Sequence, residues 1–287
     1  MGGSKLTKKV LLLGHTGKMG IALNEALKED YEVIGKNSND FNASNFDEVK
    51  GMVKEINPDI LINTVAFLGI DPCENDPVKA LTLNTLYPKL LAELSRDMGF
   101  LLIHFSTDAV FNDEKNGLRV ESDTPKPLNV YGLTKYGGDC FIQAIAKKYY
   151  IFRIPLLFGK SKKNNQFVEK MLQKIKEGSK TIRIVDDVIS SPTYSKDVAK
   201  EAKKIIENAL PYGLYHVVNE GKAALFEVMQ EIVKNLDLDV KVEKASYKDF
   251  PYIGIKNINT PTTSEKIKPL RPWKEAIKDY TDNLDLE

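Results

Sequence analysis

The stretch KVLLLGHTGKMGIALNEALKED, residues 9–30, runs from an unbroken apolar segment through glycines at 14, 17 and 20 into a segment of helical periodicity. A strand covered by helices on both faces reads as a continuous apolar run, as parallel strands do. Glycines between such a strand and a helix suit a tight turn, close approach of an anion to the backbone, and close helix–strand packing. The free N–H groups at the start of the helix then face the anion. The Walker A pattern is not met, because Gly14 is only two residues from Gly17-Lys18 and Met19 follows the lysine. Gly14, Gly17, Lys18, Met19 and Gly20 are therefore candidate contacts to a dinucleotide pyrophosphate.

Further apolar runs follow at YEVIG (31–35), PDILINTVA (58–66), FLLIHFST (100–107) and YYIFRIP (149–155), alternating with amphipathic segments. This rhythm predicts an α/β fold, a Rossmann-type doubly wound parallel sheet over residues 1–155. PVKALTLNTLYPKLLAELSRDMG (77–99) reads as one helix closed by Gly99. From residue 156 the alternation loosens into helices within 164–180, 195–210 and 224–238 and strands at 181–187 and 213–219. Residues 156–287 are expected to form a smaller, partly interleaved substrate-binding domain, with some later segments returning to the first. Asn165 is a candidate N-cap, and NNQF (164–167) a candidate ligand contact. Trp273 and Arg271 are expected to pack the last helix, and Arg153 to fix the fifth strand.

The 41 basic and 40 acidic residues of the 287 are interspersed, with a formal charge of +1, so neither nucleic acid nor an anionic membrane is an expected partner. A small-molecule substrate is expected. Cys73 and Cys140 have no metal or redox spacing and are expected to stay thiols in a reducing cytoplasm. His15, His104 and His216 are scattered, so no metal is expected, and His104 reads as a core histidine. The run VLLLG behind MGGSKLTKK is too short for a signal peptide or a bilayer span, and Leu6 breaks the myristoylation pattern.

NVYGLTKYGGD (129–139) puts Tyr131 and Lys135 four residues apart, on one face of a helix. An ammonium beside a phenol favours the phenolate and brings its proton affinity toward the working range. HFSTDAVF (104–111) delivers Ser106 and Thr107 at the carboxyl end of the fourth strand, where open α/β sheets bind ligands. The second strand ends in VIGKNSND (33–40), with Lys36 near the ribose position and no carboxylate before Asp40. A cation there suits a 2′-phosphate, which favours NADP(H) over NAD(H).

Taken in order, GHTGKMG, DF (40–41), PDILINTVA, STDAVF, PLNVYGLTKYGGD, FRIPLLFG, NNQFVEKML, SPTYSKDVA and GLYHVVN resemble the extended short-chain dehydrogenase/reductase superfamily, and within it the dTDP-4-dehydrorhamnose reductase family. The resemblance covers nearly the whole chain. It implies a catalytic set of Thr107, Tyr131 and Lys135, with Thr107 and Tyr131 also touching the substrate and Lys135 holding the nicotinamide ribose. It implies dinucleotide contacts from Gly17, Lys18, Met19, Asp40, Phe41, Val65, Ala66 and Leu68, and a substrate-side Asp71. The implied reaction is NADPH-dependent reduction of the 4-keto group of a nucleotide-activated deoxysugar for cell-surface polysaccharide. The superfamily also makes a homodimer a candidate assembly. Three departures lie on the sugar side: Leu156 stands at or next to an aromatic position, Phe67 replaces a His, and NINTPTTSEKI replaces the Ser/Arg-Pro-x-Asn-Ser stretch. FRIPLLFG also resembles the regulatory β subunit of methionine adenosyltransferase, a dinucleotide-binding partner protein without turnover. A nucleotide-sugar epimerase or dehydratase is the third alternative.

Overall fold

The computed structural model describes residues 7–162 and 166–284. Asn164 and Asn165 lie outside the described residues, as does Leu6. The chain begins with β1 (Lys9–Leu13), α1 (Lys18–Leu27), β2 (Glu32–Lys36), α2 (Phe46–Ile56) and β3 (Ile60–Asn63). Short helices α3 (Ile70–Asn75) and α4 (Pro77–Leu81) lead through a π-helical turn, Thr82–Leu86, into α5 (Tyr87–Met98). β4 (Leu101–Thr107), α6 (Val130–Ile145) and β5 (Tyr149–Ile154) follow. The remainder runs β6 (Leu157–Phe158), α7 (Phe167–Lys176), β7 (Thr181–Val185), β8 (Ile189–Ser190), β9 (Thr193–Tyr194), α8 (Ser195–Glu207) and β10 (Gly213–His216). It ends with β11 (Asn219–Glu220), β12 (Ala223–Ala224), α9 (Leu225–Asn235), β13 (Lys241–Ala245), β14 (Leu270–Pro272) and α10 (Trp273–Asp282).

Six parallel strands form the main sheet in the order β10-β5-β4-β3-β1-β2. The order reverses between β1 and β3, which opens a crevice at their carboxyl ends. β1 and β3 are apolar throughout because both faces are covered. Val10, Leu12 and Ile62 enter one core with α1 and α8, while Leu11, Leu13 and Leu61 enter the other with α2 and α5. Residues 195–216 return to this sheet, α8 packing on α1 and β10 adding the edge strand. The other strands pair two by two around a third core containing Phe158, Tyr194, Phe226, Trp273 and Tyr280. Arg271 joins Asp197 of α8 to Asp279 of α10 through bonds of 2.8–3.0 Å.

The single helix expected over 77–99 is interrupted. Asp76 caps α4, and the π turn then offsets the backbone so that Asn84 faces inward, before Gly99 (φ +81°) ends α5. Asn84 accepts from Phe67 N (2.8 Å) and donates to Phe67 O (3.0 Å) and Thr134 Oγ1 (3.2 Å). The turn therefore fastens α6 to the loop after β3.

Two glycines explain how close α6 comes. A Cβ on Gly132 would lie 2.1 Å from Ala109 O, and one on Gly138 would lie 2.4 Å from Asn84 O. Gly138→Ala is expected to lower stability by about 1–3 kcal/mol through overpacking. Gly51→Ala, in α2 with open space around it, is expected to raise stability by roughly 0.5–1 kcal/mol. Denaturant unfolding of the two variants beside the parent checks both signs.

Candidate functional site

The turn after β1 sits at the floor of the crevice. Gly14 has φ +84°, its N–H donates to Lys36 O at 2.7 Å, and a Cβ there would lie 2.5 Å from Thr64 Oγ1. A Cβ on Gly20 would lie 2.2 Å from Gly14 O, so this glycine lets α1 start against the turn. Gly17 is different. Its φ is −77°, and a Cβ would meet nothing nearer than Gly14 O at 3.4 Å. Neither conformation nor packing within the chain requires glycine at 17, and the open space beside it fits a pyrophosphate approaching the backbone. The N–H groups of Lys18, Met19 and Gly20 are the unpaired first-turn donors of α1.

The Lys18 side chain turns away from the glycine turn. Its ammonium pairs with Glu169 at 2.9 Å and donates to Leu157 O at 3.2 Å, so it ties the turn to α7 and β6. Burial lowers its proton affinity, with Glu169 opposing. Lys36 ends β2 and is partly exposed. Asp40 does not face outward from that strand. Its carboxylate accepts from Asn37 N at 2.7 Å and closes the 37–40 turn. Phe41 is buried in the core with Leu11, Val49 and Val53. Past β3, Val65 N donates to Asn63 Oδ1 at 3.1 Å, Ala66 and Phe67 continue along the crevice, and Leu68 is exposed. Asp71 sits in the first turn of α3 and accepts from Ile253 N at 2.9 Å, so its carboxylate anchors the 250–258 loop.

Thr107, Tyr131 and Lys135 converge at the end of β4. Asn129 caps α6 by accepting from Gly132 N (2.9 Å), which sets the register that turns Tyr131 and Lys135 toward β4. Tyr131 faces Thr107. Thr107 Oγ1 accepts from Ala109 N (3.1 Å) and donates to Asp108 Oδ1 (3.2 Å). Lys135 is 2 % exposed, and its Nζ lies 2.6 Å from Phe105 O and 3.2 Å from His104 Nε2.

Burial is the largest influence on both Tyr131 and Lys135. Burial pushes Tyr131 well above its ordinary value, the neighbouring Thr107 hydroxyl offsets part of this, and Asp108, Cys73 and Asp139 add to it. The Lys135 side chain turns back to the β4 carbonyl of Phe105. Burial brings Lys135 down to about 8, with Asp139 opposing.

Asp139 and Lys256 were not singled out from sequence. Asp108 accepts from Ser190 (3.2 Å) and Thr260 (2.5 Å), which join the end of β4 to the second lobe. Burial raises its proton affinity and these hydrogen bonds lower it. Asp139 bonds to Ser106 (2.9 Å) and Arg153 (3.1 Å) beneath α6. Lys256 comes over the crevice, its Nζ 5.5 Å from the centre of the Tyr252 ring and within the fields of Asp108 and Asp71. The acid after Thr107 was visible in the sequence, but the acidic neighbours of Lys256, Asp108 and Asp71, lie more than a hundred residues away in the chain. Among the described residues, no group of three or more His, Cys, Asp or Glu could hold a metal ion.

Residues 8–286 match the family model described as RmlD substrate binding domain. The spore coat polysaccharide biosynthesis protein SpsK of Bacillus subtilis (strain 168) is 32% identical over 278 residues, covering 95% of this chain and 96% of that one. The dTDP-4-dehydrorhamnose reductase of Escherichia coli (strain K12) is 32% identical over 226 residues, 76% of this chain and 75% of that one. A solved dTDP-4-dehydrorhamnose reductase from Bacillus anthracis, in complex with NADP, superposes with a TM-score of 0.91 at 28% identity, over 97% of this chain and all of that one. A Clostridium acetobutylicum dTDP-4-dehydrorhamnose reductase gives 0.89 at 29% identity, over 96% and 98%. With its crevice at the sheet's switch point and a family match that spans nearly its whole length, the chain belongs to the RmlD family of Rossmann-fold proteins.

Proposed function

We propose that the chain is an NAD(P)-dependent oxidoreductase of the extended short-chain type that reduces the 4-keto group of a nucleotide-activated deoxysugar, with NADPH as the preferred donor, in cytoplasmic synthesis of a polysaccharide precursor. The observation that supports this most is the convergence of Thr107, Tyr131 and Lys135 beside the glycine turn. The relatives named for dTDP-4-dehydrorhamnose reduction and for spore-coat polysaccharide point the same way.

The backbone of Gly17, Lys18 and Met19 would hold the pyrophosphate, Lys36 the 2′-phosphate, and Val65, Ala66 and Leu68 the wall beside the rings. Asp40 and Phe41 would act through the fold of the 37–41 turn. When bound, the dinucleotide supplies hydride. Tyr131, kept protonated by its burial, gives its proton to the oxyanion that develops at C4. Thr107 turns its hydroxyl from Asp108 to the same oxygen, so that both donors address charge absent from the ground state. Asp71 and Lys256 flank the sugar, and the lobe of β6–β9, α7 and the 250–262 segment closes over it. This lobe carries the departures at Leu156 and 257–267, so the identity of the sugar is set there.

Three outcomes follow from this reading. With a dTDP-4-keto-6-deoxysugar, the protein is expected to consume NADPH, and Tyr131→Phe to lower kcat by about 10²–10⁴-fold. Dinucleotide binding with no consumption on any nucleotide 4-keto sugar would instead identify a cofactor-binding interaction protein. Lys36→Asp is expected to raise KM for NADPH by about tenfold or more, the equivalent of about 1.4 kcal/mol, while KM for NADH changes little. Lys135→Met should stabilise the fold at pH 7. The folded lysine binds its proton more weakly than the unfolded one, so the penalty is full below about pH 8 and fades as pH approaches the ordinary 10.5. Urea unfolding at pH 7 and pH 9.5 is expected to show the advantage of the variant shrinking.

A further inference from the structure

The hydrogen bonds behind Lys135 have directions that can be worked out one from the next. Asn63, His104 and Lys135 are 0%, 1% and 2% exposed, so water does not supply missing partners. The backbone N–H of Val65 can only donate, and it lies 3.1 Å from Asn63 Oδ1. That oxygen is an acceptor, which turns the Asn63 NH₂ toward His104 Nδ1 at 3.1 Å. An NH₂ only donates, so Nδ1 carries the lone pair and the neutral imidazole carries its hydrogen on Nε2. Nε2 lies 3.2 Å from Lys135 Nζ, and Lys135 Nζ also donates to Phe105 O at 2.6 Å. An amine satisfies this set completely: its lone pair accepts from Nε2–H, one N–H goes to Phe105 O, and the other is free for the crevice. An ammonium has three donors and no lone pair, so it would meet the Nε2–H donor to donor. Turning the Asn63 amide over would only move the clash to Val65 N–H.

We propose that Asn63 and His104 form a positioning unit for Lys135, in which Asn63 fixes the imidazole in its Nε2–H tautomer and that N–H donates to the lysine amine. This deepens, and rests on, the assignment of Lys135 to the reductase site. The charged and titratable groups around the lysine are few. On α6, Asp139 favours the ammonium but is already shared by Arg153 of β5 and Ser106 of β4, and Tyr131 is neutral. Beyond Thr107 lie Asp108 and Lys256, and Cys73 of α3 is a buried thiol raised to about 11. Burial holds His104 well below its ordinary value and Lys135 adds to this, so the imidazole is neutral. The hydrogen-bond set and the burial therefore act together, and the lysine loses its proton at about pH 8. The alkaline limb of kcat/KM is expected to follow Lys135.

Asn63→Asp tests the unit in the full-length protein with near-isosteric change. Its carboxylate accepts from both Val65 N–H and His104 Nδ1–H, which would reverse the tautomer and offer Nε2 as an acceptor to the Lys135 ammonium. Nitrogen NMR of ¹⁵N-histidine-labelled protein, with the three histidines distinguished by His104→Gln, is expected to show the neutral Nε2–H form in the parent and the Nδ1–H form in Asn63→Asp. The alkaline limb is expected to rise by about one pH unit in Asn63→Asp, and also in His104→Gln, whose amide oxygen can face Lys135. A parent His104 in the Nδ1–H or imidazolium form overturns the proposal. So does an unmoved limb in folded variants that still bind NADPH. Should Asn63→Asp not fold, the parent spectrum and the His104→Gln profile decide. Absence of turnover in the parent would count against the reductase reading alone, because the tautomer is read without substrate.

Discussion

Helix α6 brings Tyr131 and Lys135 to the end of β4 only because its backbone can almost touch the segments on either side of it. Gly132 rests on Ala109 O, and Gly138 on Asn84 O. Asn129 sets the rotation of the helix from its first turn, and the π turn at 82–86 grips it through Thr85 Oγ1, which donates to Thr134 O at 2.6 Å. A helix held a few tenths of an ångström further out would leave the phenol short of Thr107 and the lysine short of the β4 carbonyl. The precision of the site is thus a packing property of α6, and the turn, the caps and the glycines serve it.

Beneath that contact lies a second constraint. Asp139 and Arg153 form a fully buried ion pair, with Ser106 completing the shell and the Arg153 guanidinium 5.4 Å from the Phe111 ring centre. Burying such a pair costs desolvation that its attraction only partly offsets, whereas losing one partner costs about 3–5 kcal/mol. Asp139 Oδ1 has no hydrogen-bond partner, which adds to that cost. Its place under α6 gives the pair a second consequence. It supplies negative charge near Lys135 without leaving a free carboxylate to capture the lysine.

A buried phenol raised well above its ordinary value and a buried lysine lowered toward neutrality suit reduction better than oxidation. Burial favours the neutral phenol, so Tyr131 keeps its proton in the closed site. This differs from the arrangement expected from spacing alone, in which the ammonium bears directly on the phenol. The depth of the pocket matters here: β4 offers Lys135 a carbonyl at 2.6 Å and an imidazole at 3.2 Å.

The parallel sheet, the glycine turn and the helical face shared by Tyr131 and Lys135 were legible in the chain itself, because each depends on residues within a few positions of one another. Apolar runs report two-sided burial, three glycines report close backbone approach, and a spacing of four reports one helix face. Three-dimensional packing alone decided that Asp40 closes a turn, that Phe41 enters the core, that the Lys18 side chain leaves the phosphate turn for Glu169, and that Lys256 reaches the crevice. Each depends on which distant group lies nearest once the lobes are folded together, and local periodicity carries no information about that. The state of Lys135 belongs to the same class, since Asn63, His104 and Asp139 come from three different elements and act on it only where water has been excluded.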